Sequence, residues 1–382
     1  MATELRQPIR VLQIVGCMGR GGFENMIMNI YRHIDREKVQ FDFLAHYGKE
    51  AAFNDEIRAL GGRIFEMPRL KDEEQHVYYG QIFSYIKALN DFFGQHPEYK
   101  IIHGHMTNTA AIYMPIARKY GVTCRISHSH STHGKKGTLG IVTNILQKPI
   151  ALYATDYFAC SQVAAHWFYT QRQIESGRVR IIPNAIDAGK FRFDKETRIS
   201  MRSKLHIEQE IVVGCVAGFR AEKNQQFLLA VLCAIKEKGQ LCKLLFVGDG
   251  PCENAVKLKA TEKNISNDIL FMGQRTDVSD LMQAMDVFVL PSLWEGLPLV
   301  GVEAQASGLP CVVSDAVTSE MNILGEVQYL SLDDDFEKWA NIIIEAARKP
   351  RTDRCEEIKQ KGYDVATTAK WLQNFYLSKG EI

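Results

Sequence analysis

A chain of 382 residues, 46% apolar and 24% charged, is too long for one hydrophobic core and too ordinary in composition for a disordered or disulfide-stapled protein. Two or three core-bearing domains are expected. Forty-six Lys and Arg against forty-five Asp and Glu leave a net charge of +1, which offers no field for steering onto nucleic acid, so any anion must be recognised locally.

In chain order, short β-branched runs alternate with longer amphipathic stretches, the pattern of βαβ units and a parallel sheet covered on both faces. In the first half strands are expected at 10–15, 41–46, 63–67, 100–105, 123–129, 156–160 and 179–182, with helices at 22–34, 52–60, 78–94, 108–120, 139–153 and 162–170. The first strand, Val11 to Val15, is too short for a signal-peptide core, and no run approaches the roughly 18 apolar residues of a membrane span. Pro183-Asn184-Ala185-Ile186-Asp187 and the charged segment 189–204 read as a linker. This divides the chain into a first domain of 1–184 and a second of 185–365, with a C-terminal helix of about 366–382 free to pack back on the first. The second series has strands at 211–217, 243–247, 269–272, 287–291 and 311–314 and helices at 224–238, 252–263, 277–285 and 298–307, and the tail from about 334 reads as helices only. The predicted class is α/β, two Rossmann-like domains whose sheets face a cleft, where open α/β folds bind ligands. The nine cysteines, odd in number and without a Cys-x-x-Cys pair, fit a reducing cytoplasm.

The densest constellation is Glu295-Gly296-Leu297-Pro298-Leu299-Val300-Gly301-Val302-Glu303, directly after an apolar strand. Pro298 suits the first turn of a helix, so Glu295 is expected in the preceding loop and Glu303 about a turn inside. The free N–H groups near Leu299 and Val300 make an anion site. Ionised carboxylates on either side are acceptors for hydroxyl donors such as a ribose diol or a sugar.

The segment Asp286 to Asp315 closely resembles the Glu-x7-Glu region of family 4 glycosyltransferases, retaining enzymes of the GT-B fold, and within them the bacterial exopolysaccharide and capsule enzymes. Gly19-Arg20-Gly21-Gly22-Phe23-Glu24 resembles the family's first loop, Ile181 to Asp187 its interdomain segment, and Val247-Gly248-Asp249-Gly250-Pro251 its second-domain turn. The resemblance implies that the first domain binds the acceptor, with Gly21 and Gly22 facing acceptor and donor phosphates, and that the second holds a nucleotide sugar, most plainly a UDP-sugar. Glu303 would hold the ribose, Lys223 and the amides around Gly296, Leu297, Leu299 and Val300 the diphosphate, with Gly248 and Gly250 in the adjoining turn, and Glu295 the sugar. A departing diphosphate accumulates charge that fixed cations must stabilise. The chain departs from the family here, because the arginine that usually stands five residues before the lysine is replaced by Gly218. Arg220 is the substitute candidate.

Five of eleven histidines are His103, His105, His128, His130 and His133. Residues two apart on a strand share a face, which raises a metal hypothesis, but no acidic residue stands near either pair. The resemblance implies instead that His128 or His130 bonds the donor sugar. The sequence is read as having no Asp-x-Asp motif, so neither a catalytic metal nor a cofactor beyond the nucleotide-sugar co-substrate is expected. The helix after Lys135-Lys136-Gly137, with Leu139, Ile141, Val142, Ile145, Leu146, Ile150 and Leu152, and the aromatics of 78–93 are candidates for peripheral contact with the inner membrane face, where the resemblance places a lipid-linked oligosaccharide. The rival readings are a nucleotide-sugar-binding subunit without catalysis and a His-based metal-dependent hydrolase.

Overall fold

The computed structural model describes residues 7–19, 21–46, 51–68, 79–106, 109–130 and 150–380. It divides into two units, Met1–Ala185 with Val365–Ile382, and Ile186–Asp364. Among the described residues no helix is long and apolar enough to cross a membrane.

The first unit is built on seven parallel strands: β1 (Ile9–Val15), β2 (Val39–Ala45), β3 (Ile64–Glu66), β4 (Ile101–Gly104), β5 (Cys124–Ser129), β6 (Asp156–Ala159) and β7 (Val179–Ile181), in the order β3-β2-β1-β4-β5-β6-β7. Both faces are covered, so residues of both parities are buried along its central strands. Alternation assigns the faces: Val11 and Val15 enter a core shared with helix Gly22–His33 and the C-terminal helix Val365–Gly380, whereas Leu12 and Ile14 enter one shared with Tyr85, Leu89 and Phe93 of helix Tyr79–Gln95. Gln13, His103 and His128 take the parity of the first face, among Ile101, Ile126 and Tyr376.

The second unit has six parallel strands, β8 (Ile211–Val216), β9 (Cys242–Val247), β10 (Ile269–Phe271), β11 (Val287–Leu290), β12 (Cys311–Ser314) and β13 (Gln328–Leu330), in the order β10-β9-β8-β11-β12-β13. The order reverses at β8, whose neighbours are β9 and β11, and the crevice at such a reversal is where open α/β sheets take ligands.

Three elements depart from expectation. β13 is only three residues long, too short for periodicity to show. Thr170 and Gln173 form a reciprocal capping box that starts an extra helix, Gln171–Glu175. The charged stretch read as linker contains helix Lys195–Lys204, capped by Asp194, whose Oδ1 accepts the Thr197 N–H at 2.6 Å. That helix buries little apolar surface. Instead Arg198 and Arg202 pair with Asp286 at 2.5 and 3.1 Å and donate to the carbonyls of Gln283, Ala284 and Met285 that end helix Val278–Ala284. Of the two segments considered for membrane contact, 131–149 lies outside the described residues. In the other, Tyr85, Phe92 and Phe93 are core residues, while Phe83 is 77% exposed.

Candidate active site

In the second unit the loops that leave β8, β9 and β11 lock together through their backbones. Phe219 N–H donates to Asp249 O at 2.7 Å, and Cys252 N–H returns to Phe219 O at 3.0 Å. Gly248 and Gly250 have φ of 135° and 150°, and a Cβ on either would lie 2.3 Å from Ala217 O or 2.4 Å from Phe219 O. Only glycine satisfies both demands. Gly250→Ala is therefore expected to cost about 2–3 kcal/mol and lower the melting temperature by roughly 5–10 °C, read by differential scanning calorimetry. An unchanged melting curve would show that the loop relaxes.

The β8 loop ends in a 3-10 turn, Ala221–Lys223, closed by Asn224 in the left-handed region at φ 52°. Leu293 N–H donates to Glu222 O at 2.8 Å, which ties this turn to the loop after β11. Across that tie the Lys223 ammonium pairs with the Glu295 carboxylate, their side chains only 21% and 17% exposed. Glu295 is further fixed by a bridge to Val317 and by its N–H donating to Ala316 O at 3.3 Å. Leu293 and Trp294, 51% and 60% exposed, present apolar surface beside it. Reading the sequence for charges missed this pair, although an aromatic beside Glu-Gly in a polar loop was the available signal.

Pro298, expected inside the first turn, stands just before it with extended backbone (φ −77°, ψ 117°), and helix Leu299–Ala306 follows with no side-chain cap. Gly301 N–H bonds back to Pro298 O at 2.9 Å, so Leu299 and Val300 carry the helix-start amides to which no acceptor is assigned among the described residues. The side chains of Leu297, Leu299 and Val300 pack into the core, and Gly296 lies in the loop before them, so this segment offers its backbone. Glu303 is the fifth residue of the helix. Burial pushes its carboxyl up to about 7, with Lys190 pulling the other way. Lys190 lies within the expected linker, in a 3-10 turn capped by Asp187, and nothing in its sequence context marked it as a neighbour of Glu303. Gly218 leaves no side chain at the family's arginine position, and a Cβ there would meet Asp249 O at 3.3 Å. Arg220 is exposed and forms no ion pair among the described residues. Asp333 and Asp335 do have Asp-x-Asp spacing, but Asp335 accepts the Lys338 N–H at 2.6 Å as the cap of helix Phe336–Ala347.

In the first unit Gly21 caps helix Gly22–His33, and a Cβ on it would meet the Glu24 carboxylate, whereas one on Gly22 would meet nothing. Glu24 is 8% exposed, and burial raises its pKa. His103, His105, His128 and His130 form one array, the first three buried and His130 half-buried, while His133 lies outside the described residues. His103 Nε2 lies 3.0 Å from His128 Nδ1, His105 Nδ1 lies 2.8 Å from His130 Nε2, and the Phe23 ring packs on His105 and His130. Burial drives all four imidazoles towards neutrality, His103 and His130 to about 3.

Two Rossmann-like domains, the second with a glycine-braced cation, two carboxylates and a bare helix start at its sheet reversal, define a GT-B glycosyltransferase. Residues 20–190 match Glycosyltransferase Family 4 and residues 210–349 match Glycosyl transferases group 1, and the chain belongs to this family. It is 35% identical over 377 residues to EpsF of Bacillus subtilis (strain 168), which bears a glycosyltransferase name, covering 96% of each chain. It is 25% identical over 295 residues, 73% of this chain and 76% of the other, to the Escherichia coli UDP-Gal:alpha-D-GlcNAc-diphosphoundecaprenol alpha-1,3-galactosyltransferase. The crystal structure of Anabaena HepE in complex with UDP shares the fold, with a TM-score of 0.70 at 17% identity over 97% of each chain.

Proposed function

We propose that this glycosyltransferase moves a sugar from a UDP-sugar, with retention of configuration, to a hydroxyl of a lipid-linked or growing bacterial surface polysaccharide. The observation that carries the reading is the arrangement on the second unit: Lys223 paired with Glu295, two helix-start amides, and a Glu303 carboxyl raised by burial. Glu303 receives the ribose hydroxyls, Lys223 with the Leu299 and Val300 amides receives the diphosphate, and Glu295 receives the sugar. Gly248 and Gly250 shape the turn beside the phosphates, and Arg220, being exposed, is assigned no contact. In the first unit His130, which is half-buried, is a better sugar contact than the wholly buried His128. The relative with a diphosphoundecaprenol acceptor in its name and the UDP-bound neighbour support this donor and acceptor class.

In the reaction the bond from the anomeric carbon to the diphosphate breaks, and the acceptor oxygen bonds to that carbon on the same face. The acceptor proton passes to the leaving phosphate oxygen. Neither metal nor further cofactor enters these steps. The chain would act in the cytoplasm at the inner membrane face, with exposed Phe83 and Leu152 of the first unit available for lipid contact. A thermal-shift screen of UDP, GDP and ADP sugars is expected to single out a UDP-sugar, since a ligand selective for the folded state raises its melting temperature. Transfer in EDTA to an undecaprenyl-diphosphate sugar, with the product anomer read by NMR, completes the test. Donor binding without transfer, or an inverted product, would sink the proposal.

A further inference from the structure

His103, His105, His128 and His130 of the first unit have a feature that a hydrogen-bonded core cluster does not need. His105 Nε2 lies 2.9 Å from Gln13 Oε1, a carbonyl acceptor, so Nε2 carries the proton and the Nδ1 lone pair points inward. The outward nitrogen of His103, Nδ1, lies 2.7 Å from the Tyr376 hydroxyl, which leaves Nε2 as its inward nitrogen. His128 presents Nδ1 to the same place. One ring nitrogen from each of His103, His105 and His128 lies within 4.8 Å of the other two, and His130 Nε2 stands 2.8 Å from His105 Nδ1 as a fourth. His128 Nε2 and His130 Nδ1 are buried with no hydrogen-bond partner among the described residues.

We propose that His103, His105 and His128, with His130 as the fourth ligand, form a binding site for one divalent transition-metal ion of the zinc type in the first unit. Tetrahedral zinc with Zn–N of about 2.0–2.1 Å sets its ligand nitrogens roughly 3.3 Å apart, so on binding the contacts of 2.8 and 3.0 Å open by a few tenths of an ångström and the wider separations, up to 4.8 Å among His103, His105 and His128, close by up to roughly 1.5 Å. An all-imidazole set suits zinc, cobalt or copper rather than magnesium or calcium. Holding the far nitrogen of each ligand with an oxygen is the arrangement that orients metal-binding imidazoles, and Gln13 and Tyr376 supply it for His105 and His103. With four protein ligands the site is closed, and the metal acts by tying β4, β5 and the C-terminal helix together through Tyr376, not by chemistry on substrate. His130 is the one residue shared with the proposed sugar contact: its Nε2 would face the metal, and Nδ1 is left for the sugar.

The full chain, freed of metal by chelator and dialysis, is titrated with Co2+. One equivalent is expected to give the visible bands of tetrahedral nitrogen-coordinated cobalt, to be displaced by Zn2+, and to raise the melting temperature. His103→Gln and His128→Gln should each abolish the bands, and His166→Gln, at an exposed histidine, should leave them intact. Should the ligand variants fail to fold, Tyr376→Phe removes only the oxygen behind His103 and is expected to weaken cobalt binding about 10- to 100-fold. No saturable band in the wild type, bands that survive in both folded ligand variants, or unchanged affinity in Tyr376→Phe would each overturn the proposal.

Discussion

Replacing Glu303 by Gln is expected to weaken donor binding and stabilise the empty protein at the same time. The side chain sits where burial raises its carboxyl from 4.5 to about 7. A raised acid binds its proton more tightly in the folded chain than in the unfolded one. The stability it contributes is present below pH 4.5, falls as the pH climbs through the interval to 7, and stays lost above it. At 1.36 kcal/mol per pKa unit, that interval corresponds to up to about 3 kcal/mol at pH 8. Glu303→Gln removes the penalty, so its melting temperature at pH 8 should exceed the wild type's by roughly 6–12 °C, and the gap should close towards pH 4.5. A parallel pair of pH profiles, with no gap at pH 8, would show that the carboxyl titrates normally.

Donor binding should move the other way. A charged acceptor for a ribose hydroxyl contributes about 1.5–3 kcal/mol per bond, so the neutral amide should weaken nucleotide affinity 10- to 100-fold and Glu303→Ala should weaken it further. Wild-type affinity is expected to fall as the pH drops below 7, where the carboxyl takes up a proton, and the Glu303→Gln profile should lose that component and keep only the one from the terminal phosphate of UDP, which protonates near pH ~6. Isothermal titration with UDP between pH 5.5 and 8.5 reads both. Unchanged affinity in Glu303→Ala would remove the ribose from this residue. A carboxylate held at a cost to stability, with only a distant charge beside it, is the sign of a group awaiting a ligand.

The carboxylates and glycines of this site were legible in the sequence because their roles are local. Gly248 and Gly250 are demanded by backbone angles and by one crossing loop, and Glu295 and Glu303 lie on either side of one helix start. Expected strands coincide with observed ones wherever four or more apolar residues run together. What the sequence hid depends on partners distant along the chain. Helix Lys195–Lys204 is stabilised by Asp286, more than eighty residues on, so its own composition looks like linker. The histidine pairs looked like two separate His-x-His motifs. Their joining follows from the pairing of β4 with β5, and their outer partners come from Gln13 in β1 and from Tyr376, 273 residues beyond His103.

The Lys223–Glu295 pair makes the sharpest prediction about turnover. In the empty site each group neutralises the other away from bulk water, and a bound donor must divide them, the ammonium going to phosphate and the carboxylate to sugar hydroxyls. Glu295→Gln should therefore release Lys223, so that UDP, which carries no sugar, binds a few-fold tighter, while transfer from the UDP-sugar falls about 100-fold for want of the sugar contact. Lys223→Met should weaken UDP and lower kcat/KM by about 100-fold or more, because it removes a donor to the leaving group and strands a partly buried carboxylate. The double variant no longer strands a charge, and its loss should be smaller than the product of the single losses, with a coupling of about 1–2 kcal/mol. Strictly multiplicative losses, or UDP binding that weakens in Glu295→Gln, would mean that the two residues do not exchange partners when the donor binds. Sub-additivity together with tighter UDP binding distinguishes this exchange from a structural ion pair, whose removal would weaken nucleotide and nucleotide sugar alike.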